Sequence, residues 1–594
     1  MTSYLKHLKK FNRDSGYSDF IESTDFVLPN VSHCIAENHM HYNPNTHNYA
    51  EEYFTTVALQ NGVISFNIHP NVGISAINSI SYSTDNGETW TTTQNQNGKG
   101  DYLVISVNVN TGDNVLWKGD AQQVGSDEDW GSFFSSTVKF DVKGNIMSLS
   151  RGDNFVNDTT LYGSDFAKLF YNFDSNEPCK VVNAKNLILP SMVMETNSYR
   201  EMFMNCTSLI STPELPATTL AMYCYCSMFS GCTKLIVAPV LPATTLASGC
   251  YLAMFSGCTN LVTAPVLPAT TLAEYCYNAM FYGCTGLVTA PSLPATTLAE
   301  SCYSNMFSGC TGLTLAPVLP ATTLASTCYY NMFSGCTSLV NAPQLPATTL
   351  VQNCYNRMFS DCTSLVNAPT LPATSLELCC YKEMFKNCTV LAVSPELPST
   401  TLANACYMDM FSGTNVLPDC THINFESESV VASGGLIGLF AGTKIDDNAL
   451  FNILPKTNND ESILPVMTLS NSCYQGMFRG CVNLETAPLL PATTLQKNCY
   501  ANMFYGCTSL TTSPELPAIT LVDTCYRNMF SDCSNLNIIR MYATDVSANN
   551  CLNGWVYNVA STGTFYKNDS ASWTNHGVDG VPDGWNIIRV TPQL

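Results

Sequence analysis

Charge is scarce in this chain. Only 12% of its 594 residues are Asp, Glu, Lys or Arg, and 25 basic against 46 acidic side chains leave a formal charge of −21. So few cations on an acidic background exclude the basic footprint that supplies most nucleic-acid affinity, and no nucleic-acid partner is expected. No apolar run reaches the ~18 residues that a membrane-spanning helix needs, so no membrane insertion is expected. The basic N-terminal stretch Met-Thr-Ser-Tyr-Leu-Lys-His-Leu-Lys-Lys-Phe is followed by no apolar core of a secretory signal. Gly-x-x-x-x-Gly-Lys-Ser/Thr, Gly-x-Ser-x-Gly and His-Glu-x-x-His are all missing, as are coiled-coil heptads. The enzyme hypothesis therefore has no site to occupy, and neither catalytic residues nor a cofactor are expected.

What the chain has in abundance is self-similarity. A Met-Phe pair recurs every 26 residues at Met202, Met228, Met254, Met280, Met306, Met332, Met358, Met384 and Met410, and again at Met477, Met503 and Met529. Aligned on Met as position 0, Tyr stands at −3 and Phe at +1 in all twelve repeats. Cys stands at −4 and at +4 in eleven of twelve each, which places 22 of the 28 cysteines on two repeat positions. Leu246, Cys250 and Met254 follow an i, i+4, i+8 spacing, which predicts one face of a short helix. Position +3 is Gly, Asn or Asp, the residues that accept a left-handed backbone, so the helix is predicted to stop there. The following x-Ala-Pro-x-Leu-Pro-Ala-Thr-Thr-Leu, with two prolines, permits only a short strand or extended turn. A unit of one extended segment and one short helix cannot bury its own apolar face, so a repeat solenoid is predicted, thirteen coils spanning roughly 60 Å.

The pattern Ala-x-x-Cys-Tyr-x-x-Met-Phe-x-Gly-Cys-Thr-x-Leu-x-x-Ala-Pro-x-Leu-Pro over about residues 190–541 closely resembles BspA-type leucine-rich repeats. Such repeats occur in surface proteins of gut and oral anaerobes and in phages of such hosts. The resemblance implies a leucine-rich-repeat solenoid used for adhesion or partner binding, and it carries no catalytic residue over.

Four regions follow. Residues 1–52 are a polar leader that resembles those on virion proteins of phages infecting gut anaerobes. Residues 53–160 alternate with period two around Asp85-Asn86-Gly87, a type I′ hairpin signal, and read as a small antiparallel β-domain of sandwich type. The solenoid is assigned to 161–541, with a degenerate and inserted coil at 414–470. There, Leu439-Phe440-Ala441-Gly442-Thr443 resembles a thirteenth repeat, and the interval from Met410 to Met477 amounts to two periods plus about fifteen residues. This insert carries Glu426, Glu428, Asp446, Asp447, Asp460 and Glu461. Residues 542–594, with Trp555, Trp573 and Trp585, read as an aromatic cap over the last coil.

Several residue groups invite a chemical reading. The paired cysteines, eight apart in each coil, do not match zinc-ligand spacing and read first as small buried thiols, with disulfide ladders and metal or redox roles as the alternatives. His39 and His41, a His-x-His pair among His33, His39, His41 and His47, are the weak metal candidates, on the pattern of histidine pairs converging on a trimer axis. Ser83-Thr-Asp-Asn-Gly-Glu-Thr-Trp90 matches a sialidase-like Asp-box hairpin, a structural element that here occurs once, without the paired carboxylates of a glycosidase. Arg151-Gly-Asp153 is an integrin-type tripeptide that chance explains.

Residues at −2, which vary from coil to coil, are the candidate binding array: Asn278, Ser304, Tyr330, Asn356 and Lys382. The expected function is a non-enzymatic virion protein, a tail- or capsid-attached fibre. Its N-terminus would meet other virion proteins and its solenoid a host surface protein or glycan, with the homotrimer usual among fibres. The alternative is a secreted or cell-surface bacterial adhesin, which would place the chain outside the cell rather than on a particle.

Overall fold

A computed structural model describes residues 48–592 except 69–78, 95–102, 121–123, 127–130, 172–178, 400–401 and most of 417–433. Met1–Asn48 form one unit of the chain and Tyr49–Leu594 a second. The leader's candidate metal pair, His39 and His41, lies outside the described residues, as do Glu426 and Glu428 of the insert.

The second unit opens with two antiparallel sheets. The first holds β1 (Phe54–Ala58), β3 (Ser79–Ser83), β4 (Thr91–Gln94), β6 (Asn114–Gly119) and β8 (Phe140–Asn145) in the order β4-β3-β6-β1-β8; the second holds β2 (Gly62–Ile68), β5 (Leu103–Val109) and β7 (Phe133–Ser136) in the order β5-β2-β7. Alternating burial along β5 and β6 reflects the period-two pattern that the sequence carries. Trp117 on β6 meets Phe66 on β2 and Phe134 on β7, with centroids 6.3 and 5.3 Å away, so aromatic rings join the two sheets.

The Asn86-Gly87 signal lies in the β3–β4 hairpin, but the loop is longer than the two-residue turn it predicts. Tyr82 pairs with Thr91, and Asn86 and Gly87 take the positive φ values of 58° and 92° inside the loop. The Asp85 carboxylate organises that loop: Ser83 Oγ and Thr89 N donate to its Oδ1 at 2.6 and 2.9 Å, and these bonds hold its carboxyl down to about 2.

The solenoid grows directly from the first sheet. β8 pairs in parallel with β9 (Asn186–Ile188), and parallel bridges Asn183↔Ser211, Val237↔Thr263, Thr263↔Thr289 and Thr289↔Leu315 carry the register from coil to coil. The predicted period and the extended Pro-containing segment are both found.

The predicted short helix is not. From −5 to +4 each coil is a string of turns in which every fourth residue has φ near +55° to +75°, as at Gly249, Ala253 and Gly257. Its backbone bonds alternate. Cys250, Leu252, Met254 and Ser256 donate to the carbonyl three residues back, while Gly249, Tyr251, Ala253, Phe255 and Gly257 donate to the next coil. An α-helix satisfies its own N–H groups and has none to share. Here half of them are spent on cohesion between neighbouring coils. The i, i+4, i+8 pattern fits both forms, because a strict period of four also returns Cys, Met and Cys to the core.

Inside the stack the repeat positions become columns. Tyr rings at −3 stack 5.8–6.1 Å apart from Tyr225 to Tyr407, and Phe rings at +1 stack 5.6–5.8 Å apart from Phe203 to Phe411. The Phe column runs through Phe170 to Phe134 of the β-domain, so both regions share one core.

The degenerate coil is a true coil. Leu439 takes the Met slot, Phe440 stacks on Phe478 at 5.4 Å, and Thr443 replaces the cysteine at +4. Leu439 follows Met410 by little more than one period but precedes Met477 by nearly one and a half, so most of the excess chain comes after it and holds the helix Asp447–Ile453.

The repeat geometry also passes residue 541, where the sequence pattern dissolves. Trp555 stands one period after Met529 in the Met slot, flanked by left-handed Asn550, Gly554 and Asn558. A four-stranded parallel sheet closes this end: β10 (Thr512–Leu516), β11 (Ile538–Met541), β12 (Thr564–Asn568) and β13 (Asn586–Val590). Coil geometry survives there because Trp555 and Phe565 fill the same interior with different residues.

Candidate functional site

Two long surfaces follow from the coil: a turn face around −6 to +3 and an extended face from +9 to +17. The turn face carries the five predicted binding residues, and they do not form a continuous exposed array. Ser304 and Asn356 are buried, with 4% and 7% of their surfaces exposed, and each lies beside an asparagine that donates to it or that it donates to: Asn305 to Ser304 Oγ, and Asn356 to Asn353 Oδ1, both at 3.0 Å. Asn278, Tyr330 and Lys382 are half-buried, and the Lys382 ammonium lies 3.8 Å from Glu383. Variability from coil to coil does not amount to exposure at −2. The left-handed residue at −1 folds the turn over its neighbour at −2, which variability does not reveal.

Polar side chains on this face bond mainly to their own equivalents in adjacent coils. Asn331 donates to Asn305, Asn387 to Asp361 and Asn528 to Asn502, at 3.2, 2.7 and 3.2 Å. Near the degenerate coil the ladder becomes ionic. Arg357 directs Nε and Nη2 to Glu383 Oε2 at 2.9 and 2.6 Å, and Lys386 adds a third donor at 3.1 Å. Burial pushes the Glu383 carboxyl up, but the bonds from Arg357 and Lys386 outweigh it and hold the group below its usual range. Arg479 then reaches across the degenerate coil to Asp409 at 3.0 Å, over Gly438, where any side chain would strike the Asp409 carboxylate.

Two of the insert acids have local roles. Asp446 caps the helix Asp447–Ile453 by accepting from Ala449 N at 2.8 Å, and Asp447 Oδ1 accepts from Glu485 N and Thr486 N, both at 3.0 Å. Arg151 and Asp153 are likewise engaged: Arg151 Nε donates to Asp158 at 3.2 Å and its Nη2 to the Thr160 carbonyl at 2.8 Å, while Asp153 accepts from Lys118 at 2.7 Å and from Tyr53 at 2.6 Å.

The cysteines are free thiols wherever they are described, and all of these except Cys379 are buried. Each +4 thiol is a donor, as Cys258 Sγ is to the Phe229 carbonyl at 3.1 Å. Burial pushes thiols such as Cys258 and Cys310 up to about 12, which removes thiolate nucleophilicity at neutral pH. Among the described residues no group of three or more His, Cys, Asp or Glu is placed to hold a metal ion. No helix of the described structure is long and apolar enough to cross a membrane.

The extended face is chemically different. Over the coils of Met228 to Met358 its outward positions are Val, Leu, Thr, Ser, Asn, Gln and Pro, and a shallow depression of about 400 Å³ opens between two neighbouring coils, bordered by Asn367, Thr370, Val393 and Glu396. The family model for the BspA type leucine rich repeat region matches residues 274–416 and 459–554, in six copies. The coils in these two stretches match the BspA-type leucine-rich repeat. The match leaves out the regular coils of Met202, Met228 and Met254, and the coil around Leu439 lies between the two matched stretches. No curated protein and no solved structure matches the chain.

Proposed function

We propose that this is a non-enzymatic adhesion-type protein whose BspA-like solenoid is the binding element. The supporting observation is the strict register of the coils, which presents the same outward positions side by side, once in every coil. An array of that kind suits weak contacts repeated along a host surface protein or glycan, because linked contacts raise the effective concentration of each following one.

More finely, the protein is read as a virion component, a tail- or capsid-attached fibre docked to other virion proteins through residues 1–52. The leader's resemblance to phage virion proteins supports this reading. A secreted or cell-surface bacterial adhesin is the competing reading, and the repeat type accords with it equally.

Mass spectrometry of purified, nuclease-treated phage particles separates them. Co-purification at a fixed ratio to the major capsid protein is the result expected of a fibre. Recovery only in host membrane or secreted fractions, without phage proteins, would replace the fibre by the adhesin. Binding of the full chain to host cells is expected in either case, and its absence across candidate hosts would remove the adhesion reading.

A further inference from the structure

The extended face holds a patch unlike the rest of the molecule. In six consecutive coils, those of Met228 to Met358, no charged residue stands between +7 and +17, although the chain carries −21 overall. At +12 these coils present Val240, Val266, Ser292, Val318, Gln344 and Thr370. The valines are strongly exposed, with 77%, 74% and 80% of Val240, Val266 and Val318 open to solvent. Beside them runs an exposed Thr-Thr pair, Thr-Ser in the last of the six, and parallel bridges such as Thr245↔Thr271 and Thr297↔Thr323 keep it in register. The coils on either side restore charge at the same +12 position, with Glu214 at one end and Glu396 at the other.

We propose that this patch docks a second copy of the chain, uncharged face on uncharged face, about a two-fold axis. Three features converge on that occupant. The first is size. Six rungs ~4.8 Å apart, each with about eight residues of extended chain at ~3.3 Å, give roughly 750 Å² per copy, close to the ~800 Å² that each side of a stable interface buries.

Charge is the second. Two copies with a net charge of −21 each repel one another, and this is the long stretch of the described solenoid on which they can meet without burying a carboxylate. A two-fold axis suits a surface that must complement itself.

The third feature is chemistry. The outward positions of the patch carry aliphatic, hydroxyl and amide groups and no aromatic ring, so it lacks the stacking platforms on which a sugar would seat and offers methyl-bearing ridges for close packing. Glu214 and Glu396 bracket it and set the register. A slip by one coil would press Glu214 or Glu396 against an uncharged coil of the partner copy, an uncompensated buried charge. Such a dimer leaves the turn faces of both copies outside the contact.

The test is the solution mass of the full chain, by sedimentation equilibrium or light scattering across micromolar concentrations. A dimer of 64.7 kDa chains is expected, and the double substitution Val266→Glu with Val318→Glu should return it to the mass of one chain. Each carboxylate should weaken association by about tenfold or more. Both side chains are exposed, so the circular dichroism spectrum and melting temperature should match those of the parent. Gln352→Glu, an exposed change on the turn face, should leave the dimer intact. A parent that is monomeric throughout overturns the proposal. So does a trimer, or any oligomer that survives the double substitution in a folded protein.

Discussion

Cys258 donates its thiol hydrogen to the carbonyl of Phe229, a residue 29 positions earlier and one coil below, at 3.1 Å. The same bond recurs from Cys232 to Phe203, Cys284 to Phe255 and Cys310 to Phe281. It gives the second cysteine of each repeat a purpose that neither metal nor disulfide chemistry supplies. Where the cysteine is missing, Thr414 and Thr443 turn their hydroxyls on the carbonyls of Phe411 and Phe440, both at 2.7 Å.

Buried neutral thiols make stability fall at high pH. Burial pushes the Cys258 thiol up to about 12 in the folded chain, against 9.0 for an ordinary thiol. The unfolded chain therefore loses its protons first as pH rises, and the stabilisation is complete below pH 9.0 and disappears toward 12. Each such thiol contributes up to about 1.4 kcal/mol per pH unit in that window. With more than twenty in one core, cooperative unfolding is expected within about one unit above the ordinary thiol value, followed by circular dichroism against pH. In the native protein at neutral pH, Cys379 should be alkylated fastest among the described thiols, being the one that is only partly buried. Rapid labelling of many thiols would contradict this.

Left-handed positions can be relieved. Ala253 and Ala279 adopt φ values of 52° and 53° at −1, where Asn305, Asn331, Asn502 and Asn528 stand in other coils. An L-alanine there costs about 1 kcal/mol or more, which Asn or Gly largely avoids. Ala279→Asn should raise stability by about 0.5–1 kcal/mol in chemical denaturation. A loss of stability would mean that the turn is not left-handed at −1.

Asp165 is wholly buried where the β-domain meets the first coil, and burial pushes its carboxyl up to about 7 although Arg151 lies 3.8 Å away. A carboxyl raised in the folded state is most favourable below its unfolded value of 3.8, and that contribution is lost as pH rises through 7. Asp165→Asn should therefore stabilise the protein at pH 8 by about 1–3 kcal/mol and change it much less at pH 4. Equal shifts in melting temperature at both values would refute the assignment.

Arg479 and Asp409 span the degenerate coil. Arg479→Met removes the cation from a mostly buried carboxylate, and a cost of about 1–3 kcal/mol is expected. Hydrogen exchange should accelerate first around Gly434–Thr443, whose Gly438 N and Gly442 N bond to the coil that carries Arg479. Unchanged exchange there would show that the ion pair does not hold the junction.

Much of the fold was legible because one period dominates it. Met, Phe, Tyr and the two cysteines, recurring in nearly every coil, mark the core positions directly. The left-handed stop at +3 was visible as Gly, Asn or Asp. An i, i+4, i+8 spacing does not distinguish 3.6 from 4.0 residues per turn over so short a segment, so it predicts a helix where the coil has turns. The telling sign was available at −1, where Asn305, Asn331, Asp409, Asn502 and Asn528 fall four residues before the stop in places where a helix has no use for them. The last coil was hidden because Trp555 replaces Met and Val556 replaces Phe, so the interior is preserved while the letters change. The surface was the least legible part. Exposure of the side chains preceding the left-handed position depends on how the turn folds there, which a varied column of letters does not encode.

The coils are strings of turns whose N–H groups bond alternately within the coil and to the next. Far-ultraviolet circular dichroism of the purified full chain tests this most directly. A spectrum without the paired minima of α-helix is predicted, since the described helices are as short as Ser148–Arg151 and Asp447–Ile453. Twelve helices, one in each Met-Phe repeat, would instead place roughly a fifth of the chain in helix at about three turns each, and a spectrum showing that much would contradict the account.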